Sequence, residues 1–268
     1  MNPESISKGR VTESLVKSCL FNWLGYGKIN SSIWFIGTEE SGGEIWRNKI
    51  RTQTLDSSLK IRSKFKLSMD FCHVWEDLYG IKLRNFKGPT VWCYIACFLL
   101  NFQNEYKNRE SIKKFVFEDK KLGRKNSDHF LCEFFPLPKG KKNSIKEYVH
   151  IWPTIEDYYS EVKNRRFWII NEKIKNNKEI KLIVSYEKEL TKLILDYYKN
   201  DVSNKENWLY HGKKSCEKYD LYKINFYQNR NIFLLSTPFF GYGRISYNGL
   251  KDAIKKIRKL VKKNREFN

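Results

Sequence analysis

Short apolar runs rich in β-branched and aromatic residues alternate along this chain with segments of helical periodicity. The predicted strands are residues 32–36, 129–134, 180–186, 220–227 and 231–237. Apolar residues recur at helical spacing over residues 90–101, 154–177 and 188–199, and again in the last segment from Leu250. Strands that alternate with helices form a parallel sheet with helices on both faces. The pattern therefore predicts a three-layer α/β/α fold around a central, mainly parallel sheet.

The length of the chain favours a single domain. Its 268 residues are near the upper limit for one hydrophobic core, and 41% of them are hydrophobic. No repeat or low-complexity linker divides the sequence. Residues 1–30 are predicted to be an N-terminal helical arm packed on the domain, because Val11, Leu15 and Cys19 recur at helical spacing. The prediction is one domain over residues 1–268.

The balance of charges indicates a polyanionic partner. The chain has 51 Lys and Arg against 30 Asp and Glu, a formal net charge of +21. Such a field favours DNA or RNA first and an anionic membrane second. Aromatic residues, 16% of the chain, suit base stacking as well as a core. An AT-rich genome also yields many Lys and Asn codons, but that bias does not explain the shortage of acids.

Cysteine spacing and hydropathy exclude several classes of protein. The six cysteines form no Cys-x-x-Cys pair, so no zinc or iron–sulfur site is expected. The pattern suits a reducing compartment. The first ten residues have no apolar signal region, and the run "TVWCYIACFLL" is too short to cross a bilayer. We expect a cytoplasmic protein with no metal and no membrane partner.

Polar and glycine-rich segments follow four of the predicted strands. They are "GTEESGG" from Gly37, "EFFPLPKG" from Glu133, "SYEKE" from Ser185 and "STPFFGYGRISY" from Ser236. In an open α/β sheet, ligands bind outside the carboxyl ends of the strands. The same edge of the sheet is therefore the predicted site.

Taken together, these four segments resemble motifs of the uracil-DNA glycosylase superfamily. Gly37-Thr38-Glu39 is similar to the first motif of that family, and Thr237-Pro238 stands where His-Pro is usual in the last. "LCEFFPLPKG" resembles the strand that reads the base, and "LIVSYEKEL" resembles a further strand of the fold. The resemblance covers residues 31 to 262 and implies a central four-stranded sheet. It also implies a DNA glycosylase that needs no cofactor and no obligate protein partner.

The resemblance assigns roles residue by residue. Glu39 takes the water-activating position, and Thr237 takes the position of a donor to the leaving base. Glu40 is the essential acid itself, a helper or a solvated acid, and the last two are favoured. The residues implied to contact the flipped nucleotide are Gly37, Thr38, Glu40, Gly42, Gly43, Glu133, Phe134 and Pro238. Those implied to contact DNA are Phe239, Phe240, Tyr242 and Arg244, the aromatic ones as wedges that fill the gap.

Two departures from the family bear on the substrate. Thr237 offers only a neutral hydroxyl, and an ionised Glu133 only accepts hydrogen bonds. An acceptor suits an amine or a sugar hydroxyl better than it suits uracil. The implied activity is hydrolysis of a modified or damaged base from single- or double-stranded DNA, such as glucosylated hydroxymethylcytosine of phage DNA in an antiviral role. The alternatives are a catalytically weak nucleic-acid-binding module for the chain, a turn acid for Glu39, a lysine-paired acid for Glu133 and core packing for the phenylalanines.

Overall fold

The computed structural model describes residues 11–41, 54–85, 90–139, 144–212, 216–226, 230–241 and 243–263. The helices are α1 Glu13–Asn22, α2 Leu55–Ser63, α3 Thr90–Phe102, α4 Arg109–Lys113, α5 Ile155–Asn176, α6 Lys188–Tyr197 and α7 Tyr247–Lys263. The strands are β1 Trp23–Gly27, β2 Ile33–Ser41, β3 Leu67–Met69, β4 His129–Lys139, β5 Leu182–Ser185, β6 Val202–His211, β7 Cys216–Phe226 and β8 Arg230–Ser236. Two π-helical turns, His73–Leu78 and Lys114–Glu118, complete the main elements.

One sheet contains all eight described strands, in the order β3-β1-β4-β2-β5-β8-β7-β6. The four central strands, β4, β2, β5 and β8, are parallel to one another. Antiparallel strands flank them: β1 pairs with β4 on one side, and β7 and β6 continue from β8 on the other. The α/β prediction is confirmed. The predicted four strands are the parallel centre of a larger, mixed sheet.

Helices cover both faces of the sheet, as predicted. Alternate residues of each central strand enter opposite cores, because successive side chains of a strand point to opposite faces. Phe35, Val184 and Leu235 pack in the core that includes α3 and α7. Trp34, Ile183 and Leu234 pack in the core that includes α1, α5 and α6. We call these the α3 face and the α5 face.

Two strands run further than predicted. The strand predicted to end before Gly37 continues to Ser41, so the two acids lie on a strand and not on a turn. The strand predicted to end at residue 134 continues through Pro136 and Pro138 to Lys139. Proline is tolerated there because β1 pairs with β4 only at residues 130–132, which leaves that side of the later residues without a strand partner.

Of the flanking strands, β7 is predicted at residues 220–227, whereas β1 and β6 lie in segments that the sequence did not predict as strands. The predicted helical arm of residues 1–30 contains α1 and then β1, and residues 1–10 lie outside the described part of the chain. Residues 200–219, for which the sequence predicts no element, contain β6 and the start of β7. The helix predicted over residues 154–177 is confirmed as α5, and Thr154 and Asp157 cap it by exchanging backbone and side-chain hydrogen bonds.

The first described helices after β2 and β5 lie on the same face of the sheet. Leu59 of α2 and Leu190 of α6 both pack in the core of the α5 face, and α3 then lies on the opposite face. Within the described residues, no helix has the length and apolar character needed to cross a membrane.

Candidate functional site

Four residues lie in one row across the central strands, two of them within β2 and β4 and two directly after β5 and β8. Gly37 of β2 pairs with Glu133 of β4. One residue earlier, Ile36 pairs with Ser185 of β5, which pairs with Ser236 of β8. Tyr186 therefore stands next to Gly37 in the row, and Thr237 stands next to Tyr186. All four come from segments that the sequence placed at the predicted site.

A carboxylate and a phenol meet in this row. The hydroxyl of Tyr186 donates a hydrogen bond to Oε1 of Glu133 over 3.3 Å. Burial, followed by the charge of Glu133, raises the pKa of Tyr186 well above its usual range. The phenol therefore keeps its proton at neutral pH and acts as a donor to the carboxylate. Glu133 itself is half-buried at this edge.

Gly37 provides the space in which this pair fits. A Cβ atom at this position would lie 2.2 Å from the Tyr186 hydroxyl oxygen and 2.6 Å from Oε2 of Glu133. Both distances are shorter than any van der Waals contact, so a side chain here would displace the pair. The glycine is thus required by the close approach of two polar groups.

Aromatic rings cover the pair on the α3 face. The rings of Tyr186 and Phe240 stack with centroids 4.9 Å apart and an interplanar angle of 13°. Phe240 is fully buried and also contacts Tyr94. The expected role of Phe240 as a DNA wedge is therefore wrong, because its ring is part of the core. Phe239 is half-buried and its ring lies 6.4 Å from that of Tyr186, so it is more accessible than Phe240.

Two further residues that were predicted to contact the substrate are buried. Phe134 is buried on the α5 face against Phe135 and Phe167, so its expected contact with the substrate is wrong. Thr237 is also buried, and its hydroxyl donates to the carbonyl of Pro238 over 2.9 Å. To donate to a leaving base, the Thr237 hydroxyl would have to break its hydrogen bond to the carbonyl of Pro238.

The end of β2 carries the other predicted residues. The backbone of Glu39 pairs with Phe135, two residues beyond the pairing of Gly37 with Glu133, and Glu40 continues the strand. The hydroxyl oxygen of Thr38 is buried without a hydrogen-bond partner among the described residues. Pro238 is half-buried and Arg244 is exposed beyond β8. Gly42, Gly43 and Tyr242 lie outside the described residues.

Sequence reasoning missed a buried arginine behind this row. Arg166 of α5 donates to the backbone carbonyl of Glu133 over 2.9 Å and to that of Phe134 over 3.3 Å. Burial lowers the pKa of Arg166 to about 10, so the group remains a cation at neutral pH. A signal was present in the sequence. Arg166 stands at a spacing of four between Val162 and Ile170, in the middle of the apolar stripe of α5.

His129 and His211 lie outside this row. His129 begins β4, at the opposite end of the strand from Lys139, and His211 is exposed at the carboxyl end of β6, two strands away from β8. No group of three or more His, Cys, Asp or Glu residues suited to a metal ion occurs in the described part of the chain. Comparison of the chain with protein-family models and with curated proteins gives no match.

Proposed function

We propose that this chain is a DNA glycosylase that hydrolyses the N-glycosidic bond of a flipped-out, modified or damaged base and leaves an abasic site. The observation that carries the proposal is the row of Gly37, Glu133, Tyr186 and Thr237 across the four parallel strands. It offers a carboxylate, a phenol and a close backbone approach. A flipped nucleotide needs polar groups for its edge and aromatic rings around it.

The central sheet supports this assignment. The four parallel strands β4, β2, β5 and β8 bear, at their carboxyl ends, the four segments that resemble the uracil-DNA glycosylase superfamily. The flanking strands β1, β3, β6 and β7 are additions around that centre. We propose that these four strands form a glycosylase core inside a larger sheet.

The proposed chemistry depends on a carboxylate near the sugar. Cleavage of an N-glycosidic bond develops positive charge on the sugar and negative charge on the departing base. A fixed carboxylate stabilises the cation and orients or deprotonates the attacking water. We assign this role to Glu39, which stands two residues beyond Gly37 on β2. The leaving base then takes a proton from water, since the Thr237 hydroxyl is bonded to Pro238.

The Glu133–Tyr186 pair bears on which base is removed. An ionised carboxylate accepts hydrogen bonds and cannot donate them. A base edge with an exocyclic amine, or a base that carries sugar hydroxyls, supplies the donors that this carboxylate lacks. The pair therefore favours a modified cytosine or an adenine derivative over uracil. Glucosylated hydroxymethylcytosine of phage DNA provides both kinds of donor.

An abasic-site assay tests the proposal. Purified protein is incubated with DNAs carrying uracil, hypoxanthine, 5-hydroxymethylcytosine or its glucosylated form, and abasic sites are revealed by alkali cleavage. We expect cleavage of at least one amine-bearing modified substrate and little or none of the uracil DNA. Glu39→Gln should lower the rate by about 10²-fold or more, the range expected for loss of a general base.

Two variants and one binding measurement make the test selective. Glu40→Gln is the matched control, because it removes the neighbouring carboxylate from the same strand; its rate should stay within about threefold of wild type, well inside the loss expected for a general base. Equal losses in both variants would contradict the assignment to Glu39.

A nucleic-acid-binding module without catalysis is the second candidate function. It is favoured by the Thr237 hydroxyl, which is hydrogen-bonded within the protein. Tight DNA binding without cleavage of any substrate would establish it and overturn the glycosylase.

A further inference from the structure

A basic cleft lies between α3 and α7, away from the row of strand ends. It has a volume of about 170 Å³. Its lining residues include Lys251, Lys255 and Arg258 from α7, and Asn101, Asn104 and Tyr106 from the end of α3 and the segment after it. The three cations occur at positions i, i+4 and i+7 and so form one stripe along α7. The proposed chemistry uses none of them.

The charge of this cleft is not neutralised by the protein. In the described part of the chain, no carboxylate forms an ion pair with Lys251, Lys255 or Arg258. The nearby acid of α7, Asp252, is paired with Lys256 at 3.1 Å. The end of α3 contributes the equivalent of about half a negative charge through its dipole. Three full positive charges exceed that amount, so the cleft is strongly positive.

Several of the cleft side chains are held in place before any ligand arrives. A guanidinium nitrogen of Arg258 donates to the side-chain oxygen of Asn104. Asn104 has a left-handed backbone, with φ of 62°, where the chain turns after α3. The Lys251 ammonium lies 5.7 Å from the centre of the Tyr106 ring. Preorganised cations lose less conformational entropy when they bind an anion.

Helix α7 connects the cleft to the proposed base pocket. Tyr247, at the start of α7, contacts Tyr94, which in turn contacts Phe240 beneath the site. Arg109 lies over the Tyr247 ring at 5.7 Å and adds a cation between the two regions. From Tyr247 to Arg258 the helix rises about 16 Å, at about 1.5 Å per residue. That length corresponds to about five base pairs of duplex at about 3.4 Å each.

We propose that this basic cleft binds backbone phosphates of the DNA whose base enters the pocket. The inference rests on the nucleic-acid partner of the proposed function. The stripe from Lys251 to Arg258 spans about 10 Å, which matches about three steps between successive phosphates of one strand at about 3.4 Å of helix axis each, so its three cations can contact two or three phosphates. A phosphate fits within the volume of the cleft. These contacts set the register of the strand on the protein and carry no base specificity.

The test is a binding measurement on duplex DNA without modified bases. The cleft variant carries Lys251→Gln, Lys255→Gln and Arg258→Gln. The control variant carries Lys163→Gln, Lys175→Gln and Lys192→Gln, three exposed lysines of α5 and α6 on the opposite side of the sheet. Both variants lose three charges, so their net charges are equal. Affinity is measured by fluorescence anisotropy as a function of salt concentration.

The cleft variant should bind the duplex at least about tenfold more weakly than wild type, and its log–log salt slope should be smaller by about 2, since each phosphate contact contributes about 0.9. The control variant should bind within about twofold of wild type, because its charges lie outside the contact. Lys255→Arg should retain wild-type affinity, and circular dichroism should show that every variant is folded.

Two outcomes separate failure of the cleft from failure of the function. Equal weakening in the cleft and control variants would show a general charge effect and overturn the cleft. A wild-type chain that binds no DNA at all would overturn the nucleic-acid function, and the cleft proposal with it. In a parallel measurement, inorganic phosphate should compete with DNA only weakly. Saturable binding of phosphate that DNA does not displace would identify a free phosphate ligand instead and overturn the DNA assignment.

Discussion

Glu133 is held in place from three directions. The Tyr186 hydroxyl bonds its carboxylate, Arg166 bonds its backbone carbonyl, and the missing side chain of Gly37 leaves room for it. Each contact constrains a different part of the residue, so the carboxylate has a defined position before a ligand binds. Groups ordered in this way bind or stabilise charge without the cost of reorganisation.

His129 permits a prediction about pH. Its Nε2 accepts a hydrogen bond from the backbone N–H of Gly123 over 2.8 Å, which requires a neutral ring. Burial lowers the pKa of His129 from 6.5 to about 4. As the pH falls below 6.5 the unfolded chain takes up a proton that the folded protein refuses, so stability falls. Between pH 6.5 and 4.5 we expect this group to lower the free energy of unfolding by about 1.4 kcal/mol per pH unit.

Urea unfolding at several pH values measures this effect. His129→Gln should be nearly independent of pH in that window, while His211→Gln, at an exposed position, should follow wild type. Two partly buried carboxylates, Asp70 and Glu76, do not alter stability in this window. Burial raises their pKa values, but hydrogen bonds from backbone N–H groups and from Arg124 and Lys120, respectively, outweigh burial and hold both pKa values below their usual range. Their protonation therefore destabilises the fold only at lower pH. A wild-type protein with constant stability from pH 6.5 to 4.5 would contradict the prediction.

The residues of the site were predictable only in part. Glycine, acid and aromatic residues after apolar runs marked the segments correctly, because strand ends in such folds share one edge. The bond between Tyr186 and Glu133 joins residues 53 positions apart. It depends on the order of β4, β2 and β5 in the sheet, which local periodicity does not determine. The burial of Phe240 and Phe134 depends on the same packing.

At the scale of elements, Arg166 ties α5 to three other segments. Its guanidinium donates to Leu20 at the end of α1, to Trp23 and Leu24 of β1, and to Glu133 and Phe134 of β4. The side chain is fully buried. Removal of one partner in such a network leaves buried polar groups unsatisfied, at about 1–3 kcal/mol for each. This arginine is thus the main polar connection between the amino-terminal elements and the strand that carries Glu133.

Arg166→Lys should lower the free energy of unfolding by about 3 kcal/mol, since one ammonium cannot reach carbonyls on both β1 and β4. Chemical denaturation measures the change. The control is Arg165→Lys on the exposed side of the same turn, where the cation lies over the ring of Phe21. We expect a change below about 0.5 kcal/mol there. Equal effects of the two substitutions would contradict the role assigned to Arg166.

The elements that sequence patterns missed share weak local signals. β1 reads "WLGYG", and its two glycines lower strand propensity. β6 reads "VSNKENWLYH" and is an edge strand with few buried residues, so no clear alternation marks it. In contrast, the central strands are buried on both faces, and their apolar runs are unmistakable. Patterns find the elements that lie deepest in the core.

At the scale of the molecule, the sheet is expected to loosen from one side. β5 is fully buried and paired on both edges, whereas β6 ends the sheet and is largely exposed. Hydrogen exchange followed by mass spectrometry should show amides of Leu182–Ser185 exchanging only through global unfolding. Amides of Val202–His211 should exchange at least about tenfold faster, because edge regions open locally. Equal protection of the two strands would indicate that β6 is covered by another chain.

The fold class followed from the alternation of strands and helices, and both covered faces were predicted from it. The antiparallel flanks were not, because strand order depends on which edges remain free after the parallel centre forms. The net charge predicts a polyanionic partner for the whole chain but no position for it. The proposed position, the cleft between α3 and α7, combines cations with Asn104 and Tyr106, which are distant from them in sequence.

The hydrogen bonds of Arg166 have an electrical consequence for the site. All five N–H groups of this guanidinium donate to carbonyl oxygens, and no carboxylate is among their acceptors. The cation therefore keeps its full positive charge behind the strand that carries Glu133. It acts as an internal counterion for the carboxylate at the edge of the sheet. An uncharged ligand can then approach Glu133 from solvent without bringing a cation of its own.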